Sequence, residues 1–324
     1  MSIILGIETS CDETAVAIVE NGTNVLLNDV SSQIEIHREY GGVVPEIASR
    51  KHVEIISWLV DSALKRCPVS LDAVAYTNGP GLMGALMVGA SFAKAFAYAR
   101  NLPAIPVHHI EGHIFSAAID STEPLFPCLI LVVSGGHTQL IHAPQAHTYE
   151  ILGSTRDDAV GESFDKVARL LGLPYPGGPS IQKIAVDGDP KAFQFPRAFS
   201  GKDTLDFSFS GLKTAVMYCL KKNPEANPAD IAASFQAAAI DSLISRTKLA
   251  LKSTAAPRLA VVGGVAANQL LRNKLNETIN VPVYLPPMSL CTDNAAMIAS
   301  VGHSILNIGK EFSLSTTPNP NYRL

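Results

Sequence analysis

One arrangement is spelled out twice along the chain, and it limits the fold more than any single motif. An apolar run, Ile3–Ile7, ends in the polar turn Glu8-Thr9-Ser10-Cys11-Asp12-Glu13; Thr14–Val19 follows at once, and Val25–Val30 lies beyond the turn at Asn21-Gly22. The second half opens alike, with Leu129–Val133, the turn Ser134-Gly135-Gly136, then Thr138–His142 and Tyr149–Leu152. Each triplet is a strand, a tight polar turn and an antiparallel return. A second correspondence follows. Asp72–Thr77 runs into Asn78-Gly79-Pro80-Gly81 and an Ala/Gly-rich helix, while Leu259–Val262 runs into Gly263-Gly264-Val265-Ala266-Ala267-Asn268 and the helix Gln269–Leu275. A strand feeding a Gly-rich turn and a helix N-terminus offers backbone N–H groups that suit phosphate. The pattern predicts an α/β fold of two duplicated lobes with a cleft between them.

Helical patterns fill the intervals: Pro45–Leu64, Asp157–Leu171, Ser180–Val186, Gly211–Leu220 and Pro228–Leu251. The least regular stretches are Thr122–Pro127, where the second repeat begins, and Phe193–Ser208, a loop long enough to expect a function. The expected N-terminal lobe is therefore 1–120, joined by the C-terminal segment 300–324, and the C-terminal lobe is 121–299.

Composition narrows the function classes. The 324 residues are 47% hydrophobic and 17% charged, which suits two packed domains rather than a disordered chain. The net charge of −4 supplies no general basic field, so a nucleic-acid substrate would need local patches such as Arg50, Lys51, Lys65 and Arg66, or partner proteins. Five cysteines, at 11, 67, 128, 219 and 291, form no CxxC pair and read as reduced thiols of a cytoplasmic protein. The start, MSIILGIETSCDET, lacks the basic n-region of a signal peptide. Residues 81–99 are apolar but carry Lys94 and are built from Gly and Ala, so a close-packed buried helix is expected and no membrane span.

Several short motifs carry chemistry. Gly79-Pro80-Gly81-Leu82-Met83-Gly84 matches GxGxxG, yet residues 95–110 hold no acid for a ribose, which argues against a dinucleotide site. His109 and His113 fall on one face of a helix, a spacing that suits one divalent metal; an ordinary histidine pair has the same spacing. Asp293, in Cys291-Thr292-Asp293-Asn294, either caps the following helix Ala295–Val301 or completes a two-His, one-carboxylate set suited to iron(II) or zinc. Ser134-Gly135-Gly136-His137-Thr138 is a hairpin turn or a phosphate cradle. Gly177-Gly178-Pro179 permits close approach of a ligand to the backbone. Asp165 faces either a ribose hydroxyl or solvent, and Asp12 and Glu13 are the acids nearest the expected cleft.

The long motifs GIETSCDETAVAIV, EYGGVVPEIASRKHVE, TNGPGLMGALMVGASFAKA, HHIEGHIFSA, LVVSGGHTQL, GESFDKVARLLGLPYPGGP, FSFSGLKTAV, VVGGVAANQLLR and CTDNAAMIA resemble, in order and across essentially the whole chain, the bacterial TsaD family, once called Gcp and related to the Kae-type proteins. The resemblance implies the actin/Hsp70/sugar-kinase (ribonuclease H-like) fold. It implies transfer of a threonylcarbamoyl group from threonylcarbamoyl-AMP to N6 of the adenosine next to the anticodon of tRNAs reading A-starting codons. It further implies that His109, His113 and Asp293 hold one divalent metal, usually iron(II), with zinc as the alternative. The adenylate, or ATP or AMP in its place, would lie against Val132, Val133, Ser134, Gly135, Gly136, Asp165, Gly178 and Asn268. Gln182 stands where many relatives carry an acid, and Val132 where archaeal relatives carry a tyrosine ligand. Glu13 or Asp12 would assist positioning or proton removal. The implied partners are a TsaB-like paralogue on the N-terminal lobe and a TsaE-like ATPase. Two other readings compete, a metal-dependent peptidase using the histidines and a non-catalytic nucleotide-binding scaffold. The absent HExxH speaks against the first.

Overall fold

The computed structural model describes residues 2–121, 123–309 and 312–324. They fall into two compact units, one of residues 1–124 and 286–324, the other of 125–285.

The first unit starts with β1 (Ile3–Glu8), β2 (Glu13–Glu20) and β3 (Asn24–Ser32), an antiparallel meander in which Ile3 faces Glu20 and Glu8 faces Ala15. After the short α1 (Ile34–Arg38) and the long α2 (Pro45–Arg66), β4 (Ala73–Gly79) joins β1 in parallel. Then α3 (Met83–Ala99) leads to β5 (Ala104–His108), parallel to β4, and to α4 (His109–Ser116). The sheet order is β3-β2-β1-β4-β5. Both faces of the central strands are buried, which is why they read as continuous apolar runs rather than alternating ones. On one face α2 and α3 close a core of Leu5, Ile7, Val16, Ile18, Ile56, Leu59, Val60, Tyr76, Ala90 and Ala93. The apolar stretch 81–99 is thus α3, pressed so near the sheet that a Cβ on Gly89 would lie 2.2 Å from Thr9 Oγ1. Among the described residues no helix is long and apolar enough to cross a membrane.

The second unit repeats the plan. Its strands β6 (Cys128–Val133), β7 (Thr138–Gln145) and β8 (Thr148–Ser154) form the meander, followed by α5 (Val160–Leu170), α6 (Gly177–Ala185), α7 (Ser210–Lys222) and α8 (Pro228–Thr254). Then come β9 (Leu259–Val262), parallel to β6, α9 (Gln269–Thr278) and the short β10 (Val283–Tyr284). Read from β8, the order β8-β7-β6-β9-β10 is the order of the first sheet. The expected duplication is present strand for strand. The helix expected from Asp157 begins only at Val160, because the Asp157 carboxylate accepts hydrogen bonds from Phe209 N–H at 2.8 Å and Ser210 Oγ at 2.7 Å. The loop 193–208 is strapped down by Arg246, whose buried guanidinium donates to the carbonyls of Phe199, Lys202 and Thr204.

The chain returns to the first unit at 286, not at 300 as expected, and brings α10 (Ala295–Asn307) with it. The cause is packing of small residues. A Cβ on Gly6 of β1 would lie 2.2 Å from Ala295 O, and one on Gly302 would lie 2.5 Å from the Ala75 Cβ. Farther on, the tail crosses the β4–α3 turn: Asn319 N–H donates to Asn78 O at 2.8 Å, and Gly81 N–H to Pro320 O at 3.2 Å. The carbonyl of Tyr322 lies 3.2 Å from His108 Nε2.

Candidate functional site

The first unit gathers titratable groups where β1, β4 and β5 end. His108 closes β5 and caps α4, its Nδ1 accepting from Ile110 N–H at 3.2 Å, which starts the helix so that His109 and His113 share a face. Asp293 arrives from the far end of the chain. Capping of α10 falls to its neighbour Asn294, which accepts from Met297 N–H at 3.0 Å and donates to Thr292 O at 2.8 Å. Asp293 is therefore not the cap. Its Oδ1 lies 3.1 Å from His113 Nε2 and 3.6 Å from His109 Nε2, and one ligand atom from each of the three residues falls within 4.8 Å of the others. His113 is 1% exposed, and neither ring nitrogen finds a hydrogen-bond partner among the described residues. A buried imidazole nitrogen is rarely left unsatisfied. Two imidazoles and a carboxylate converging on it fit a divalent transition metal. Burial opposes charge on His109, but the Asp293 and Glu8 carboxylates outweigh it and push its pKa up to about 9.

Around these ligands lie residues that the sequence did not single out. Glu8, wholly buried at the end of β1, lies 3.0 Å from His109 Nδ1 and accepts from Thr77 Oγ1 at 2.6 Å and from Ser10 N–H. The available signal was an acid ending a strand of otherwise apolar, buried residues, a place where a carboxylate needs partners. The acid turn itself is tied by His52 of α2, whose Nε2 lies 3.0 Å from Cys11 O and whose Nδ1 lies 2.8 Å from Thr14 Oγ1. Burial, with the nearby Asp293 and Asp12 charges, pushes Glu13 up to about 10. Burial and the same acids hold Cys11 far above the usual thiol range, so it is no thiolate nucleophile.

In the second unit the expected substrate residues lie on elements that touch in a ring. Gly161, opening α5, donates to Ser134 O at 3.2 Å, and Asp165 of α5 accepts from Gly177 N–H of α6 at 2.7 Å. Gln182 of α6 accepts from Gln269 N–H of α9 at 2.7 Å, and Asn268 caps α9 by accepting from Leu271 N–H at 3.1 Å. The ring closes at Gly263, where an added Cβ would come within 2.6 Å of Val133 O. Val132 and Val133 are buried strand residues; Ser134 Oγ closes the hairpin turn by accepting from His137 N–H at 3.0 Å. Asn268 also donates to Gln236 at 2.8 Å, so its amide is committed to structure at both ends. At Gly135, Gly136 and Gly178 an added Cβ would meet nothing within 4 Å. These three glycines face open space.

The other glycine turn behaves differently. At Gly79 an added Cβ would lie 1.9 Å from Asn319 O, and at Gly81 2.6 Å from Ser10 O. The N–H groups of Gly81 and Leu82 are taken by Pro320 O and Ser10 O. The phosphate-suited N–H groups expected there are occupied by the chain itself. The four basic residues offered as nucleic-acid contacts are also engaged, Arg50 with Glu46, Lys51 with Glu54, Lys65 with Asp61 and Arg66 with Asp29.

Comparison with known proteins fits this geometry. The family model TsaD, tRNA N6-adenosine threonylcarbamoyltransferase, matches residues 24–300. A tRNA N6-adenosine threonylcarbamoyltransferase of Carboxydothermus hydrogenoformans is 52% identical over 99% of this chain and 98% of its own length. One from Bacillus cereus is 49% identical over 98% of this chain and 96% of its own. Among solved structures, the HypF of T. kodakarensis superposes with a TM-score of 0.65 at 14% identity, over 94% of this chain and 48% of that one. That likeness speaks for the fold alone, the duplicated α/β class to which actin, Hsp70 and the sugar kinases belong. Matches of this length and identity settle the family, and the chain belongs to the TsaD tRNA N6-adenosine threonylcarbamoyltransferases.

Proposed function

We propose that this transferase takes the threonylcarbamoyl group from threonylcarbamoyl-AMP and places it on N6 of the adenosine next to the anticodon in tRNAs reading A-starting codons. The donor is a mixed carbamoyl-phosphate anhydride and is already activated. The N6 amine attacks the carbamoyl carbon, the bond from that carbon to the phosphate oxygen breaks, AMP leaves with the electron pair, and the amine loses a proton. No covalent enzyme intermediate is required, and a Cys11 held as the thiol supports direct transfer.

The observation that carries the reading is the convergence of His109, His113 and Asp293 in a chain of this family. These three residues would hold one divalent metal, iron(II) or, by the same donor set, zinc. Such an ion supplies orientation of donor oxygens and stabilisation of developing charge. In the second unit, Val132, Val133, Ser134, Gly135 and Gly136 with Gly178 form the seat of the adenylate, and ATP or AMP fits the same seat. Asp165, Gln182 and Asn268 frame it through the bonds that tie α5, α6 and α9 together. Glu13, pushed up to about 10 by burial and the neighbouring acids, assists positioning by donating, and the proton-removal role falls to Asp12 of the same turn.

Partner proteins belong to the same proposal. The exposed Val53 and Trp58 of α2 and Met83 and Met87 of α3 offer an apolar face suited to a TsaB-like paralogue. A TsaE-like ATPase and a separate adylate-forming enzyme complete the set, in the cytoplasm. With Arg50, Lys51, Lys65 and Arg66 already ion-paired, the tRNA surface is shared with these partners. The test is incorporation of labelled threonine into unmodified tRNA in a mixture of bicarbonate, ATP, the adenylate-forming enzyme and partner subunits. Incorporation should require this chain and collapse in His109→Ala; none with the chain present, every other component being active, would refute the transfer reaction.

A further inference from the structure

We infer that Glu8 is a positioning residue for the metal site, holding a proton on His109 Nδ1 so that Nε2, which faces Asp293 and His113, is the nitrogen left to yield its proton to a metal. This role presupposes the metal reading of His109, His113 and Asp293 proposed above. Glu8 ends β1 and is 0% exposed. Its Oε1 accepts from Ser10 N–H, and its Oε2 accepts from Thr77 Oγ1 at 2.6 Å while lying 3.0 Å from His109 Nδ1. A carboxylate only accepts, so the hydrogen in the last contact belongs to the imidazole. A neutral imidazole that donates from Nδ1 has its lone pair on Nε2. That is the atom 3.6 Å from Asp293 Oδ1. Ser10 Oγ, 3.2 Å from the same Nδ1, flanks the contact.

The support is built on rigid elements. Glu8 and Thr77 stand on β1 and β4, neighbouring parallel strands, so the carboxylate is held by the sheet rather than by a loop. His113 has no such partner among the described residues, and its ring stands edge-on to His109 at 4.7 Å between centroids. Only one of the two imidazoles is oriented by an acid, so loss of Glu8 should be felt at His109 and not be shared out. Carboxylates behind ligating histidines fix the ring and raise its basicity, and losing one weakens metal binding roughly 10–100-fold.

The experiment is titration of Zn²⁺ into the metal-free chain against a chromogenic chelator, for wild type and Glu8→Gln, with thermal unfolding of both metal-free proteins alongside. Binding about 10–100-fold weaker in Glu8→Gln, in excess of any change in unfolding, is the expected result. A merely structural glutamate would move the unfolding midpoint and leave the affinity alone. Long-range ¹H–¹⁵N spectra of the Zn²⁺-loaded wild type give a second readout, expected to show His109 protonated at Nδ1. Equal affinities, or a proton on Nε2, overturn the role of Glu8 while the metal site stands. A wild type that takes up no Zn²⁺ overturns the metal reading and the role of Glu8 together. If Glu8→Gln does not fold, the wild-type tautomer decides.

Discussion

The two units carry the same five-stranded order, and each sends the strand beside its first strand into a glycine-rich turn and a helix, β4 into α3 and β9 into α9. In the first unit that turn is stoppered. Residues 319–322 lie on it, and Gly79 and Gly81 are glycines because backbone atoms occupy the space a side chain would take. In the second unit several glycines, Gly135, Gly136 and Gly178 among them, have nothing at the Cβ position. The two equivalent turns are both closed at their first glycine, Gly79 by Asn319 O and Gly263 by Val133 O, and the open glycines of the second unit lie on its hairpin turn and at the start of α6. The first unit instead concentrates histidines and acids, buried and pointed at one another. One half holds reactive groups, and the other leaves room.

The contrast breaks most visibly at the donor set. Asp293→Asn or His113→Ala should lower threonine incorporation by about 100-fold or more and remove bound metal, measured by tRNA assay and elemental analysis. Gly178→Val, in the second unit, should weaken AMP binding by roughly tenfold in calorimetry, through about 1–3 kcal/mol of crowding, with metal content unchanged. If Gly178→Val lost metal instead, the division of labour between the units would be wrong. The glycines give a smaller, paired test. Gly79→Ala, at φ +145 and against Asn319 O, should cost about 1–3 kcal/mol in urea unfolding. Gly178→Ala, in open space at the start of α6, should stay within roughly 0.5 kcal/mol.

The smallest effects concern pH. Burial lowers the pKa of His52 below its ordinary 6.5, so the unfolded chain binds the proton more readily than the folded one. Stability contributed by neutral His52 is complete above about pH 6.5 and is lost as pH falls below it. Asp157 in the second unit is held below its ordinary 3.8: its burial works the other way, but hydrogen bonds from Ser208, Phe209 and Ser210 outweigh it. Its contribution is complete above about pH 3.8 and is lost as pH falls through the lower folded value. Hydrogen exchange resolved by unit should show the first unit loosening at mild acidity in wild type but not in His52→Gln. The loop at 208–210 should stay protected to lower pH unless Asp157→Asn removes its tie.

Much of this was legible in the chain. The strand triplets, α2, α8 and both glycine turns announce themselves by local pattern. The His109 and His113 spacing and the family motifs brought the donor set into view. What stayed hidden depends on distant packing. Residues 286–299 were expected in the second lobe, because nothing local reveals that Gly6 and Ala75 leave room for α10. The short β5, which carries Pro106 at its centre, was not singled out, nor was α1. Glu8 and Thr77 are 69 residues apart and meet only because β1 and β4 pair. Nor could the glycines themselves tell that Gly79 and Gly263 are closed in by backbone while Gly135, Gly136 and Gly178 are open.

The discontinuity of the first unit has a consequence for synthesis. His113 emerges from the ribosome about 180 residues before Asp293, roughly 10–35 s at ordinary elongation rates. By the close of that interval the second unit, a continuous stretch from 125 to 285, has gained all of its own residues, while the first still lacks α10 and one of its three converging side chains. A nascent chain, or one cut short before residue 293, therefore presents two imidazoles without their carboxylate, and the three-residue cluster is a property that only a nearly finished polypeptide can acquire.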